Sequence, residues 1–527
     1  MDEAPTNQPP SATSATGAAE RAMLPQSAGE WLMLCLVGLV GLVLRLSVLD
    51  APLWIDELHT SWVVADDLGS VAARASAGNQ PPAFFWLVWG ITQVTSHNAF
   101  SLRLVSMLAG MGSIAVVYGL TRQWTSSHLA GIATALLVAT DRNMIFYASE
   151  GRSYAVVQLV GLLQLGSVWA AIHQQSRRRI PLHLLIVTTS VLLVYLHFTT
   201  ALLLAVEGVL LLALGVLRRL PREAALWLLA DACLVLVSLM PLHESFLDVV
   251  QRKENWRPYV SQSHWITNYI WALRLPCYLI IPLAVAILSR LRRQAMRTLP
   301  TTNWGLVGFV CLWSLLPLVL MGISGMALQP VLIKRFATIS LFGPIVLCGL
   351  SIAHLRAPRW QLVAMTLAVG VSLWQSGMVA QLRSSGKLIV DKREYWGDAM
   401  EHIQRDHLRG DGALVHAGLI EASQYANGTA IERAYCLLPV SGIYSLPPAL
   451  AAQATPLTGI GSAASLNTIR AAAGQHERVW LLLRIRSDQA DRFSDQLRSG
   501  GLDVIQHVPF DGVQTFLVQQ AGTSNHG

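Results

Sequence analysis

Charge is what this chain has least of. Only 13% of its 527 residues are Asp, Glu, Lys or Arg, against 53% hydrophobic ones. Soluble domains carry about 25% charged residues, so an ordinary soluble globule is excluded and a polytopic α-helical membrane protein is expected. Cysteine is scarce too. Cys35, Cys233, Cys277, Cys311 and Cys348 fall in or beside apolar runs, and only Cys436 lies in the polar tail, which is no basis for a disulfide framework. No internal repeat is apparent, which weighs against an inverted-repeat transporter. Residues 1–28, rich in Ala, Ser, Thr and Pro, lack the basic patch, short apolar core and cleavage site of a signal peptide and read as a disordered cytoplasmic arm.

What is present is a series of long apolar runs. A hydrocarbon core of about 30 Å takes about 20 residues per helix, and runs of that kind lie near 31–49, 101–121, 128–147, 154–173, 181–197, 199–217, 224–241, 267–289, 303–321, 336–353 and 360–379. About eleven spans are expected in a membrane domain over 29–380. The net charge of +7 is not spread like a nucleic-acid footprint, which rejects nucleic acid as partner. Its arginines form knots at Arg122, Arg177–Arg179, Arg218–Arg222, Arg290–Arg297 and Arg356–Arg359. With the N-terminus inside, every knot is cytoplasmic, as the positive-inside rule requires. The run at 83–95, after the helix-breaking prolines of "NQPP", is too short to span and is expected to be re-entrant or surface-lying. Trp54, Leu58, Trp62 and Ala65 predict an interfacial amphipathic helix in the first outer loop, 50–100.

Alternation then places Asp56, Glu57, the segment around Glu150, His197, the turn at Lys334 and the tail after 380 on the outer face. Residues 381–527 mix strand-like runs ("GALVHAG", "RVWLLLRIR", "TFLVQQ") with helical stretches near 393–408 and 487–499. A small extracytoplasmic α/β domain is expected there, without a Gly-rich phosphate loop or a His/Cys set at metal spacing. Adjacent carboxylates at Asp56 and Glu57, just past the first span, are the chief chemical signal. Their other reading is favourable placement at the positive end of a helix. Arg152, Lys334, Arg335 and Arg103 are the outer cations suited to an anion, arginine through two parallel hydrogen bonds. For each the competing reading is a snorkelling side chain at a helix end. Glu150 is placed to pair with Arg152, Tyr154 offers a hydroxyl, and His197 a ring nitrogen. Asp56, Glu57 and His59 leave a divalent cation open, and no cofactor is otherwise implied. Glu207 and Asp231, inside apolar runs, mark either a proton path or, the favoured reading, buried hydrogen-bonded pairs between helices.

The stretches "LWIDELHTSW", "NQPPAFFWLVW", "AFSLRLVSMLAG", "IFYASEGRSYAVVQL" and "VYLHFTTALLL", with fainter echoes in "LIKRFATISLFGP" and "KREYWGDAMEHI", occur in an order that resembles a known family. It is that of the polytopic glycosyltransferases related to protein O-mannosyltransferases and aminoarabinose transferases, with the C-type glycosyltransferase fold. The resemblance implies inverting transfer of a sugar from a polyprenyl phosphate to a lipid, glycan or protein acceptor, at the outer face of the plasma (inner) membrane. Asp56 would match the family's catalytic acidic position, read here as the general base, and Glu57 its partner, orienting the acceptor or a cation. Arg152, Tyr154, Glu150, His197, Lys334, Arg335, Gln80 and Arg103 would serve the donor. The chain departs from the family at Gln80, where many relatives have His or Lys, and at Gly151, where Ala is commoner. A transporter or flippase of a lipid-linked sugar is the rival reading, and a cell-envelope scaffold the third. Transport calls for ionisable groups at mid-membrane and broken helices in matched halves, whereas here the polar residues gather on one face.

Overall fold

A computed structural model of the protein describes residues 23–49, 51–173, 179–252, 303–327, 334–355, 357–389 and 394–522, with isolated positions at 255 and between 278 and 287. The long apolar runs are helical because only a helix satisfies its own backbone groups in hydrocarbon. In chain order they are α1 (Ala28–Leu46), α2 (Ile55–Val63), α3 (Leu68–Ala77), α4 (Ala83–Val94), α5 (Ala99–Thr125), α6 (His128–Thr140), α7 (Arg142–Ala148), α8 (Tyr154–His173) and α9 (Arg179–Leu196). There follow α10 (Ala201–Val216), α11 (Arg222–Leu239), α12 (His243–Gln251), α13 (Trp304–Ala327), a 3-10 segment Lys334–Leu341, α14 (Phe342–Ala353), α15 (Pro358–Ser376) and α16 (Met378–Ser385). Among the described residues five helices are long and apolar enough to cross a membrane, or seven if each of two bent pairs is one span. The run at 83–95 is the 12-residue helix α4. The span expected at 267–289 lies mostly outside the described residues, as do residues 1–22.

The run expected as one helix at 128–147 bends by 62° at Asp141. The bend is stabilised from both sides. The Asp141 carboxylate caps α7 by accepting from the N–H groups of Asn143 (2.8 Å) and Met144 (3.0 Å). Arg45 of α1 donates to the carbonyls of Val138 and Ala139, which the bend leaves without helical partners. α7 then packs so tightly on α5 that a Cβ on Gly110 would come 2.4 Å from that of Ala148. That close approach sets the 149–153 turn against α5.

The two acids inside apolar runs are each closed by hydrogen bonds between helices. Glu207 accepts from Gln164 Nε2 (2.7 Å) and Trp313 Nε1 (2.8 Å), and Asp231 lies 2.6 Å from His183 Nδ1.

The helix ends sort onto two faces. Glu30, at the start of α1, pairs with Arg122 at the end of α5 (2.9 Å). The opposite ends of these helices carry residues 47–57, Arg103 and the 149–153 turn, and there the C-terminal domain docks. It comprises α17 (Trp396–Asp406), β1 (Gly412–His416), α18 (Ala430–Cys436), β2 (Ala454–Pro456), α19 (Ala463–Gln475), β3 (Val479–Leu483), α20 (Ser487–Ser499), β4 (Leu502–Phe510) and β5 (Val513–Gln520), with short helical turns between. The sheet order is β2-β1-β3-β5-β4, with β2, β1 and β3 parallel and β5 and β4 antiparallel to their neighbours. Its core is Leu414, Ile469, Leu481, Leu483, Phe493, Leu497 and Phe516.

The segment after the first span, expected as an interfacial pair of helices, is not one. It holds three helices, and α2 lies enclosed: Ile55, Glu57, Leu58, His59, Thr60, Ser61, Trp62 and Val63 are all buried. The apolar stripe that suggested a membrane surface packs instead against protein, with Trp62 6.1 Å from the ring of Tyr435 on α18.

Candidate active site

Asp56 and Glu57 open α2, so both benefit from its positive end, but they face different surroundings. The Glu57 carboxylate is 1% exposed and receives Nε and Nη2 of Arg103, each at 2.7 Å, and the Gly151 N–H at 2.8 Å. Arg103 spends its remaining donors on the carbonyls of Leu49, Ala51 and Pro52. This is a closed bidentate pair that staples segment 51–98 to α5 and to the 149–153 turn. Against expectation, the surroundings of Arg103 leave it no donor for a phosphate, and the Glu57 carboxylate is taken up by Arg103 and the Gly151 N–H. Both hold the site in shape. Gly151 belongs to the same staple. Its carbonyl accepts from Thr60 (2.7 Å), and a Cβ there would lie 3.1 Å from the Leu102 carbonyl, which explains the glycine where relatives carry Ala.

Asp56 is half-buried and forms an ion pair with Arg335 from the 3-10 segment before α14. Arg152 approaches from the turn before α8: its Nη1 donates to the Asp56 carbonyl (3.1 Å) and to His59 Nδ1 (3.2 Å), and its guanidinium lies 6.0 Å from the Phe85 ring centroid. Two arginines some 180 residues apart in sequence therefore meet at one residue, Arg335 on the Asp56 carboxylate and Arg152 on its main-chain carbonyl.

His59, one turn along α2, was considered in the sequence only for metal binding. The structure gives it another role. Its Nε2 lies 3.3 Å from the Arg74 carbonyl and Nδ1 faces Arg152. A carbonyl only accepts and a guanidinium only donates, which assigns the proton to Nε2. Burial, and then the charge of Arg152, push its pKa down to about 3, so the ring is neutral and can accept from the arginine. It stacks so closely on the α3–α4 turn that a Cβ on Gly78 would come 2.3 Å from Nε2, and Phe85 and Tyr435 meet it edge-on at 5.4 and 5.6 Å.

Tyr154 and His197 form the remaining wall, their rings 5.7 Å apart. The Tyr154 hydroxyl is buried with no hydrogen-bond partner among the described residues. The Nδ1 of His197 accepts from the N–H of Thr199 (3.3 Å), capping the 3-10 turn at 198–200. Burial, then Arg335 and Arg152, lower its pKa to about 3. It is a neutral wall residue and brings no charge to a phosphate. Glu150 is 3% exposed beside a cavity of about 220 Å³ lined also by Glu57, Arg103, Tyr395 and Asp511. Gln80 is half-buried in the turn before α4, its N–H on the Ala75 carbonyl. The side chain of Lys334 lies outside the described residues. Asp56, Glu57 and His59 point three ways, and among the described residues no three His, Cys, Asp or Glu side chains are grouped to hold a metal ion.

Sequence reasoning missed the contribution of the C-terminal domain. Glu394 accepts from the Ile55 N–H (2.8 Å), Glu421 from Asn79 Nδ2 (2.7 Å), and Ser61 from the Ile443 N–H (2.8 Å). These contacts join positions more than 330 residues apart, for which a single sequence carries no local signal.

With this geometry in place, comparisons with known proteins give a consistent picture. Residues 79–241 match the model of the family described as dolichyl-phosphate-mannose-protein mannosyltransferase. Among solved structures, ArnT from Cupriavidus metallidurans bound to undecaprenyl phosphate is similar with a TM-score of 0.56 and 14% identity, over 95% of this chain and 100% of that one. Its apo form gives 0.56 and 12% over the same shares. The archaeal oligosaccharyltransferase AglB from Archaeoglobus fulgidus gives 0.48 and 12%, over 95% of this chain and 75% of that one. No curated protein matches.

Proposed function

We propose that this chain, whose residues 79–241 match the dolichyl-phosphate-mannose-protein mannosyltransferase model and whose fold is similar to that of ArnT, is a C-type glycosyltransferase that transfers a sugar from a polyprenyl phosphate to an acceptor hydroxyl or amine. The transfer takes place at the extracytoplasmic face of the plasma (inner) membrane. The observation that carries this reading is one half-buried residue, Asp56, whose carboxylate pairs with Arg335 and whose main-chain carbonyl accepts from Arg152, on the face where the C-terminal domain docks. The ligand of the ArnT structure that this fold resembles, undecaprenyl phosphate, suits that pair of cations.

Breaking a glycosyl–phosphate bond moves negative charge onto the departing phosphate. Arg152 and Arg335 stabilise it, each worth about 4 kcal/mol at about 4 Å and an effective dielectric near 20 before desolvation. The Tyr154 hydroxyl adds a hydrogen bond. A phosphate between the arginines competes with Asp56 for Arg335. The carboxylate so released takes the proton of the attacking acceptor, a contribution of about 10²–10⁴-fold. The acceptor oxygen or nitrogen bonds the anomeric carbon as the carbon–phosphate oxygen bond breaks, and polyprenyl phosphate leaves. A single displacement by the acceptor, with Asp56 as base, inverts the anomeric configuration.

The transporter reading fits the two bent helix pairs, but the buried charges at the first bend are tied into hydrogen bonds, Asp141 to Tyr278 (2.5 Å) and Arg45 to the α6 carbonyls. To test the proposal, purified protein in lipid is incubated with labelled polyprenyl-phosphate sugars and candidate acceptors. Label passing to an acceptor, with release of polyprenyl phosphate, supports it. Movement of intact donor between leaflets without bond cleavage refutes it in favour of the rival.

A further inference from the structure

The helix that carries Asp56 has a defect at its start. Its N-cap position is Trp54, whose side chain makes no capping hydrogen bond, although the first turn of a helix leaves N–H groups that Ser, Thr, Asp or Asn ordinarily satisfy. The missing acceptor comes from 339 residues away. The Glu394 carboxylate, at the start of the C-terminal domain, accepts from the Ile55 N–H through Oε2 at 2.8 Å. The same oxygen takes Trp396 Nε1 at 2.9 Å, and Oε1 takes Nε and Nη2 of Arg484 at 2.9 and 2.7 Å. Four donors on one buried carboxylate leave it a single orientation. The residue after Ile55 is Asp56.

The far end of α2 is held by the same domain. The Ile443 N–H donates to Ser61 Oγ at 2.8 Å, and the approach is so close that a Cβ on Gly442 would lie 2.7 Å from that oxygen and 3.1 Å from the Trp62 nitrogen. Both ends of this nine-residue helix are therefore set by the C-terminal domain. Its sides are set by the Glu57–Arg103 pair.

We infer that Glu394 is a positioning residue for Asp56: steered by Arg484, it caps the catalytic helix from the C-terminal domain and fixes where the Asp56 carboxylate stands relative to Arg152 and Arg335. The domain is on this account part of the catalytic unit. The inference rests on Asp56 being the base proposed above. A displacement of about 1 Å in a reacting group can cost about a hundredfold in rate, whereas Arg152 and Arg335 bond to α2 but stand on other elements, so donor binding changes less than kcat.

The test uses the full-length protein in lipid with Glu394→Ala, Glu394→Gln, Arg484→Met and Asp56→Asn. kcat, donor KM, donor binding and the thermal midpoint are measured for each. Expected is a fall in kcat of about tenfold to a hundredfold in Glu394→Ala, with donor KM and donor binding little changed. Part of that kcat returns in Glu394→Gln, whose amide oxygen still accepts from Ile55 while its NH2 cannot accept from Arg484. Wild-type kcat in Glu394→Ala overturns the inference, as does a Glu394→Gln variant no better than alanine, or a loss seen only in folded yield and thermal midpoint. If Glu394→Ala does not fold, Arg484→Met, which keeps the cap and removes its guide, decides: lowered kcat at unchanged donor binding supports the inference and wild-type kcat sinks it. An inactive Asp56→Asn beside a fully active Glu394→Ala removes this inference alone. A fully active Asp56→Asn removes the base assignment and this inference with it.

Discussion

Asp56 and Glu57 are neighbours in sequence but point about 100° apart around their helix, and that angle divides their work. Glu57 faces inward to a bidentate arginine and a backbone N–H. Removing one partner from a buried pair strands the other charge, so Glu57→Gln or Arg103→Met should lower stability by about 3–5 kcal/mol, read as a drop in thermal midpoint or in folded yield. Asp56 faces the half-buried side with Arg335. Arg152→Lys and Arg335→Lys should each raise donor KM more than they change stability, because a lysine cannot grip phosphate through a planar fork. An unchanged donor KM in both would take the arginines out of the site. The two depressed histidines set a pH dependence. His59 and His197 stay neutral in the folded protein down to about pH 3 but protonate near 6.5 when unfolded. Their contribution is therefore whole above about 6.5 and declines as pH falls from there towards 3. The thermal midpoint should drop between about pH 7 and pH 5, and His59→Gln should shrink that drop.

At the scale of elements, the decisive piece is the short helix α2, and its surroundings explain what sequence could and could not convey. α8 (Tyr154–His173) and α20 (Ser487–Ser499) appear with the limits expected for them, because an unbroken apolar run and a strongly amphipathic stretch are local signals. β1, β3 and β5 appear where strand-like runs were read. The stripe on α2 was legible as apolar, but not what it faces, since its partner Tyr435 lies hundreds of residues downstream. The helix α3 went unread because "LGSVAARASA" is short and weakly patterned. The bend at Asp141 was hidden inside a continuous apolar run whose breaking agents, Arg45 and Tyr278, come from other helices. Of the site itself, Asp56, Arg152 and Arg335 were legible as residue types at helix ends. The Glu57–Arg103 closure and the His59–Arg152 bond were not, because they depend on which helix faces which. Gly78→Ala tests the α3–α4 turn: the new Cβ would overlap the His59 ring, so both stability, by about 1–3 kcal/mol, and donor KM should worsen. Gly90→Ala, on α4 with open space around it, should leave both unchanged.

For the whole molecule, the fold places a membrane domain and an α/β domain around one shared face, with the cationic site at the join and the Glu30–Arg122 tie at the opposite end. If that face is extracytoplasmic, a cysteine at the exposed Ser499, in a background without native cysteines, should react with a membrane-impermeant maleimide in intact cells, and one at Arg219 should not. Reversal of that pattern would put the site in the cytoplasm. The most direct measurement is single-turnover transfer from a labelled polyprenyl-phosphate sugar by wild type and Asp56→Asn, with donor binding measured on the same samples. The account predicts a loss of at least about a hundredfold in transfer with donor binding preserved. Transfer at the wild-type rate by the Asp56→Asn protein would contradict it.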